Sequence, residues 1–390
     1  MNSSASAVVH SVRLISSGLD RVDAFVAFGD GQVLATGTGS DWGELLADDA
    51  EVLDGNGYIL TPGLIDIHNH GGAGSSYGDS AEAIRTARRL HLEHGTTRQL
   101  LSLVTASPEV LISQIQLAKA EIRRDRTILG IHLEGPFLAR DYCGAHDPAL
   151  LRDPDPDLVE RLLDTADGTL REVTMAPERA HFAESARLLR DAGVVVAVGH
   201  TAATFEQTRA AIDAGATLLT HAFNGMPGVH HRAPGPVFAF VEESGSWLEV
   251  INDGAHVRPE MIRMLCGLAP GRVALVSDAM AATGVGDGEY RLGDLDVVVE
   301  AGVARLTEGK AIAGSTITLD VAVARAVQDV GLSPVAAIEA ATTVPAQILG
   351  VADRFGRLEP GYVADAVLFD QDWQVRSVWI DGHPLGEGEH

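Results

Sequence analysis

The sequence predicts an α/β chain, with a closed (β/α)₈ TIM-type barrel over residues 62–354 and a small β-sandwich built from both chain ends, 1–61 and 355–390. Three observations predict it. Eight short apolar runs alternate with helical stretches, the rhythm of parallel strands joined by crossover helices, and eight such units close a barrel. Both chain ends show β-type runs separated by polar turns. Six of the eight apolar runs finish in His, Glu or Asp, at the strand ends where barrel active sites are built.

In chain order, Ala7–Ser16, Val22–Phe28, Gln32–Thr38 and Glu51–Leu60 read as strands, the last around the turn Asp54-Gly55-Asn56-Gly57. The eight barrel runs are Leu64–His70, Arg98–Thr105, Ile128–Pro136, Glu172–Glu178, Val194–Thr201, Thr217–Asn224, Leu248–His256 and Val273–Met280. Between them Ala81–His94, Pro108–Arg124, Ala180–Ala192, Phe205–Ala214 and Pro259–Leu268 read as helices, with Gly95, Gly193 and Gly215 marking helix ends. A further helix, Ser333–Leu349, leads back to strands Ala364–Asp370 and Val375–Ile380. Exposed strand edges need partners, so the two β-rich ends are expected to share a sheet.

A composition of 46% hydrophobic and 21% charged residues with 42 Gly fits a globular enzyme and excludes a disordered or fibrous chain. The net charge of −25 opposes binding to nucleic acid and to anionic membrane surfaces, so an anionic substrate needs a local basic pocket. Cys143 and Cys266 cannot form a disulfide framework, and Met1–His10 lacks the basic start and apolar run of a leader. No run approaches the roughly 20 apolar residues that span a bilayer. A cytoplasmic protein is expected.

The strand-end residues are His68 and His70, Glu134, His200, His221, His256 and Asp278. Imidazoles and carboxylates converging on one rim suit Zn²⁺ or a similar divalent ion. Spacing of i, i+2 on a strand sends His68 and His70 to one face. Alone, the pair would equally fit two solvated histidines before Gly71-Gly72; in the company of the others it reads as metal-binding. A carboxylate such as Glu134, ending an apolar strand, must be paired or bound to a cation if buried. Asp278 is the candidate general base, able to ligate weakly and still take a proton from water. His91 and His94 lie on a helix away from the rim and read as solvated or capping residues. There is no HExxH, P-loop, GxSxG or Rossmann-type GxGxxG.

Pro62-Gly63-Leu64-Ile65-Asp66-Ile67-His68-Asn69-His70-Gly71 resembles the first-strand signature of the amidohydrolase superfamily. His132-Leu133-Glu134-Gly135-Pro136-Phe137, Gly144-Ala145-His146, Gly199-His200-Thr201, Thr220-His221-Ala222-Phe223-Asn224-Gly225-Met226-Pro227 and Ser277-Asp278-Ala279 resemble, within it, the N-acetylglucosamine-6-phosphate deacetylases. The resemblance implies deacetylation of an amino-sugar phosphate, in amino-sugar catabolism and cell-wall sugar recycling. It implies that Glu134, His200 and His221 hold one divalent ion, and that His68 and His70 can hold a second with Glu134 bridging. Asp278 would be a metal ligand and the catalytic acid and base, and His146 would hydrogen-bond the acetyl carbonyl. Ala145, Asn224, the Gly225 backbone, Arg232 and His256 would bind sugar and phosphate, with Ile312, Ala313 and Gly314 lining the sugar pocket. The metal expected is Zn²⁺, with Fe²⁺ or Mn²⁺ as alternatives, at one or two ions per subunit. A homodimer is expected, in which Arg232 can reach the partner's site; Ala233 stands where relatives often carry Glu, which bears on the orientation of that arginine. Cys143, beside the loop of His146, reads as a small polar-loop residue, with metal or redox sensitivity as the alternative.

Two rival readings lose ground. Related amidohydrolases bridge two metals with a carbamylated lysine, but the two lysines here, Lys119 and Lys310, follow no barrel strand. A non-catalytic sugar-phosphate-binding regulator would not be expected to keep a full ligand set together with Asp278.

Overall fold

The computed structural model describes residues 4–309 and 311–386; Lys310 and the first three residues of the leader reading lie outside them. Backbone proximity divides the chain into two compact units, one of Met1–Asp66, His91–Arg98 and Leu319–His390, the other of Ile67–Leu90 and Gln99–Thr318.

In the first unit the two chain ends share one sheet. Its order is His383–Pro384, Val375–Ile380, Ala366–Phe369, Ile59–Pro62, Ala5–Ser16, Leu19–Gly29 and Gln32–Thr38, with Leu46–Asp54 also pairing with Ala5–Ser16. The long first strand serves two neighbours on one edge, Leu46–Asp54 along residues 5–10 and Ile59–Pro62 at Arg13 and Leu14. It changes neighbour where its register against Leu19–Gly29 slips, between Val9 and Leu14, as an extra residue bends a strand. Period-two alternation sorts both faces: Val9, Val26, Phe28 and Trp379 pack in one apolar cluster, Val8, Phe25 and Ala27 in another.

The same unit buries an ion triad. Arg98, 2% exposed, donates from Nε to Asp365 at 2.6 Å and from Nη2 to Asp365 at 2.9 Å and Asp381 at 2.8 Å. Burial opposes the guanidinium charge, and the two carboxylates outweigh it. His91 is buried, contrary to the solvated or capping reading, while His94 is partly exposed with Nδ1 3.0 Å from Asp320.

The barrel strands run in chain order and all in parallel: one, Leu64–Asp66; two, Thr96–Val104; three, Ile128–Glu134; four, Leu170–Met175; five, Val195–Val198; six, Leu218–Leu219; seven, Trp247–Ile251; eight, Val273–Val276. Past the ends of strands one and eight the ring is closed by Asp278 N–H to His68 O at 2.9 Å and His70 N–H to Ala279 O at 2.8 Å. Several strands stop short of the apolar runs seen in the sequence. The backbone turns left-handed at His200 (φ 48°), His221 (φ 28°) and Asp278 (φ 48°), which ends the extended ladder there.

Each of the first seven strands is followed by a helix: Ala81–Glu93, Pro108–Ile122, Pro156–Ala166, Phe182–Asp191, Phe205–Ala214, Gly235–Glu242 and Pro259–Leu268. Thr204 and Gln207 form a reciprocal capping box at the fifth. After strand eight comes an element not expected from the sequence, a three-stranded antiparallel sheet of Gly288–Leu292, Leu295–Glu300 and Val303–Leu306. The expected helix Ser333–Leu349 is two, Pro334–Ala340 and Thr343–Ile348, broken at Thr342 (φ −136°, ψ −76°). Pro345 explains the break, because it has no N–H to continue the ladder and its ring would clash with the carbonyl four residues back.

Asp365→Ala leaves the Arg98 guanidinium buried with half its partners, so a loss of about 3–5 kcal/mol is expected. The urea midpoint checks this; an unchanged midpoint would mean that the triad contributes nothing.

Candidate metal centre

Seven side chains meet at the rim: His68 and His70 beyond strand one, Glu134 ending strand three, His146 on the following loop, and His200, His221 and Asp278 at the left-handed positions after strands five, six and eight. All are at most 7% exposed. Left-handed backbone at a non-glycine residue costs on the order of 1–3 kcal/mol and persists where the surroundings over-determine it.

The imidazoles are held from behind. His68 Nδ1 donates to Glu249 Oε2 at 3.0 Å, His70 Nδ1 to the Ser102 carbonyl at 3.2 Å and His200 Nδ1 to the Tyr142 carbonyl at 2.9 Å. All three partners are acceptors, so in the neutral ring each Nε2 offers its lone pair to the rim. The Nε2 atoms of His68 and His70 are 3.2 Å apart, so in the neutral rings their lone pairs would oppose each other. His200 and His221 bring their Nε2 atoms to 3.0 Å. Such an arrangement calls for a cation between the nitrogens, and the donor set fits a divalent metal.

Glu134 stands among them. Its Oε1 is 3.1 Å from His200 and 3.0 Å from His221, and its Oε2 3.2 Å from both His70 and His146. Two groups of donor atoms lie within 4.8 Å of one another, His68 with His70 and Asp278, and Glu134 with His146 and His200. Glu134 reaches both groups, its Oε1 also lying 3.4 Å from His68 Nε2. Burial raises the Glu134 carboxyl, but the surrounding imidazoles overcome it and hold it well below the usual range. Asp278 is likewise raised by burial and pulled down, to about 2, by His70 and His68.

A second tier lies below the rim, inside the barrel. Glu249, fully buried, also accepts from the His221 backbone N–H at 3.2 Å, so one carboxylate ties two ligand strands together. Burial and Glu249 push the neighbouring Glu172 carboxyl well above its ordinary value. His132 is kept neutral by burial and by His68, with Nε2 2.9 Å from Thr174 Oγ1. None of the three is among the site residues expected from the sequence. For Glu172 and Glu249 the signal, a carboxylate within a strand covered on both faces, appears only once the barrel is closed.

The centre opens into a cavity of about 280 Å³. Of the expected sugar and phosphate contacts, Ala145, Asn224, Gly225, His256, Ile312 and Gly314 line it. Ala313 does not, its side chain being packed with Met280, Leu292 and Val297. Arg232 is exposed and outside the lining, its Nη1 donating to His231 at 2.8 Å. Leu292 and Ala311, not expected from the sequence, complete the apolar wall with Ile251.

Comparison with known proteins agrees with this geometry. The model of the amidohydrolase family matches residues 59–385. The chain is 38% identical over 328 residues to an N-acetylgalactosamine-6-phosphate deacetylase of Escherichia coli O157:H7, covering 83% of this chain and 87% of the relative. It is 36% identical over 351 residues to the human N-acetylglucosamine-6-phosphate deacetylase, covering 86% and 85%. Among solved structures, a mutant of the Mycobacterium smegmatis N-acetyl-D-glucosamine-6-phosphate deacetylase, in complex with N-acetyl-D-glucosamine 6-phosphate, superposes with a TM-score of 0.91 at 40% identity, over 97% of this chain and 98% of that one.

Two outcomes are expected. A Cβ at Gly225 (φ +59°) would sit 2.9 Å from His200 Nδ1, so Gly225→Ala should displace that ring and weaken metal binding by about 10- to 100-fold in a chelator competition. In metal-free protein, burial lowers the His70 pKa but Asp278 and Glu134 raise it from 6.5 to about 9. Its stabilising contribution is therefore complete below 6.5 and lost as pH rises through about 9. His68 and Glu172, both raised, act in the same direction. The Tm of chelated protein should fall between about pH 7 and about pH 9.5 while that of metal-loaded protein holds; equal slopes would contradict the assignment.

Proposed function

The chain belongs to the amidohydrolase family, and from that premise we propose that it hydrolyses N-acetyl-D-glucosamine 6-phosphate to D-glucosamine 6-phosphate and acetate. The observation that carries the reading is the opening of a buried set of candidate metal ligands, Asp278 among them, into a cavity of about 280 Å³. The similarity to a deacetylase solved with that sugar phosphate supports the choice of substrate. The 38% identity to an N-acetylgalactosamine-6-phosphate deacetylase favours the epimeric sugar as a second reading.

His68, His70, Glu134, His200, His221 and Asp278 would hold the metal, Zn²⁺ with Fe²⁺ or Mn²⁺ as alternatives. When bound, a divalent ion lowers the pKa of water toward about 7 and polarises the carbonyl. Asp278, which lines the cavity beside these ligands, would take the proton of the attacking water and return it to the departing amine. His146 is kept neutral by burial. Its Nδ1 accepts from the Thr105 N–H at 3.4 Å, so its proton is on Nε2, 3.2 Å from Glu134 Oε2; that N–H would pass from Glu134 to the acetyl oxygen as negative charge develops there. Asn224, Gly225 and His256 would bind the sugar phosphate, with Ala145, Ile312 and Gly314 beside it. The same reading has the protein working in the cytoplasm as a homodimer; the exposed Arg232, outside its own chain's cavity, is the residue that would serve the partner's.

Acetate release from the two sugar phosphates and from unphosphorylated N-acetylglucosamine tests this. Turnover should require the phosphate, and the faster epimer identifies the substrate. Asp278→Asn should lower kcat by about 10²- to 10⁴-fold and His146→Ala by about 10²- to 10³-fold. No acetate from either sugar phosphate with metal bound would overturn the reading.

A further inference from the structure

A substrate phosphate brings between one and two negative charges to a chain whose own net charge is −25, and the cavity that would receive it has no arginine in its described lining. The inference here rests on the sugar-phosphate reading and concerns which cation meets that charge.

The arginines of the neighbouring loops are engaged. Arg258 pairs with Glu260 at 3.3 Å, Arg291 with Asp294 and Asp296 at 3.7 Å, Arg140 donates to the Pro148 carbonyl at 3.4 Å, and Arg232 to His231. Arg305 differs: among the described residues no carboxylate pairs with it. It lies on Val303–Leu306, the last strand of the sheet that follows barrel strand eight.

The register fixes which way it faces. Arg305 bridges antiparallel to Ile312, and the flanking bonds are Leu306 N–H to Ala311 O at 2.9 Å and Ala313 N–H to Ala304 O at 3.1 Å. Bonds in that pattern make 305 and 312 a non-hydrogen-bonded pair, with Cα atoms about 4.5 Å apart and side chains adjacent on one face. Ile312 lines the cavity. Ala304 and Ala313, on the opposite face, are buried with Leu292, Val297 and Val299. Arg305 is therefore held beside a cavity-lining side chain, on the face of the strand opposite Ala304 and Ala313. It also lies near enough to His256, another lining residue, for its charge to oppose protonation of that imidazole.

We propose that Arg305 is a same-chain phosphate-binding residue, receiving the substrate's phosphate beside His256 and giving the site its preference for the phosphorylated sugar. Binding would not then depend on Arg232 of a second subunit alone. Because Arg305 is exposed, the contribution is salt-sensitive.

Metal-loaded full-length wild type, Arg305→Gln and Arg305→Lys are compared for acetate release from N-acetylglucosamine 6-phosphate and N-acetylglucosamine. In Arg305→Gln, KM for the phosphorylated sugar should rise about tenfold or more with kcat within about threefold, and the preference for the phosphorylated over the plain sugar should fall by a similar factor. Lysine should recover part of the loss. The inhibition constant for inorganic phosphate should rise in parallel. An unchanged KM in Arg305→Gln, with wild type still preferring the phosphorylated sugar, overturns the proposal. If wild type releases acetate from neither sugar, the substrate reading fails by itself, and calorimetry with inorganic phosphate decides Arg305: equal affinity in wild type and Arg305→Gln rejects it.

Discussion

Glu134 is a carboxylate 4% exposed at the end of an apolar strand, and a buried charge of that kind persists only where positive charge or donors meet it. Both of its oxygens face imidazole nitrogens, Oε1 those of His200 and His221 and Oε2 those of His70 and His146, so a cation among those nitrogens meets the charge. That demand explains features which would otherwise be separate. Strands five, six and eight give up regular backbone in order to turn His200, His221 and Asp278 inward. Gly144 and Gly225 stand where any side chain would press on the His200 ring. Below, Glu249 sits between the His68 ring and the His221 backbone, so the position of each ligand is tied to that of another.

That these side chains meet on one rim was legible in the sequence because of where they fall. A His or Glu that closes an apolar run has no packing reason to be there, and in a barrel the ends of all eight runs lie on one rim. Position relative to the run carried the information, more than residue type. The same rule fails one layer down. Glu249 lies inside a run, where a lone carboxylate reads as the outward face of an alternating strand; its meaning depends on strand seven being covered on both sides, which only the closed barrel supplies.

Other differences have comparable causes. Arg98 was read as the polar start of a strand because its partners, Asp365 and Asp381, lie 267 and 283 residues away, beyond any local pattern. The sheet Gly288–Leu306 was missed although its turns at Gly293-Asp294 and Ala301-Gly302 are in plain view. The eight strand–helix units already accounted for the barrel, and nothing in that count asked for strands after the eighth. Yet this insertion brings Leu292 to the cavity wall and Arg305 beside Ile312, so residues outside the regular repeat shape the space into which the barrel opens.

The bonds that close the barrel are made by the backbone of the site itself, from Asp278 to the His68 carbonyl and from His70 to the Ala279 carbonyl. Ring closure and assembly of the centre are thus one event, joining the first and the last of eight strands. A chain leaving the ribosome carries His68 and His70 long before Asp278 exists to meet them, and no partial product of synthesis can present the whole ligand set. The order of translation therefore leaves the candidate centre incomplete until Asp278, just past strand eight, has emerged.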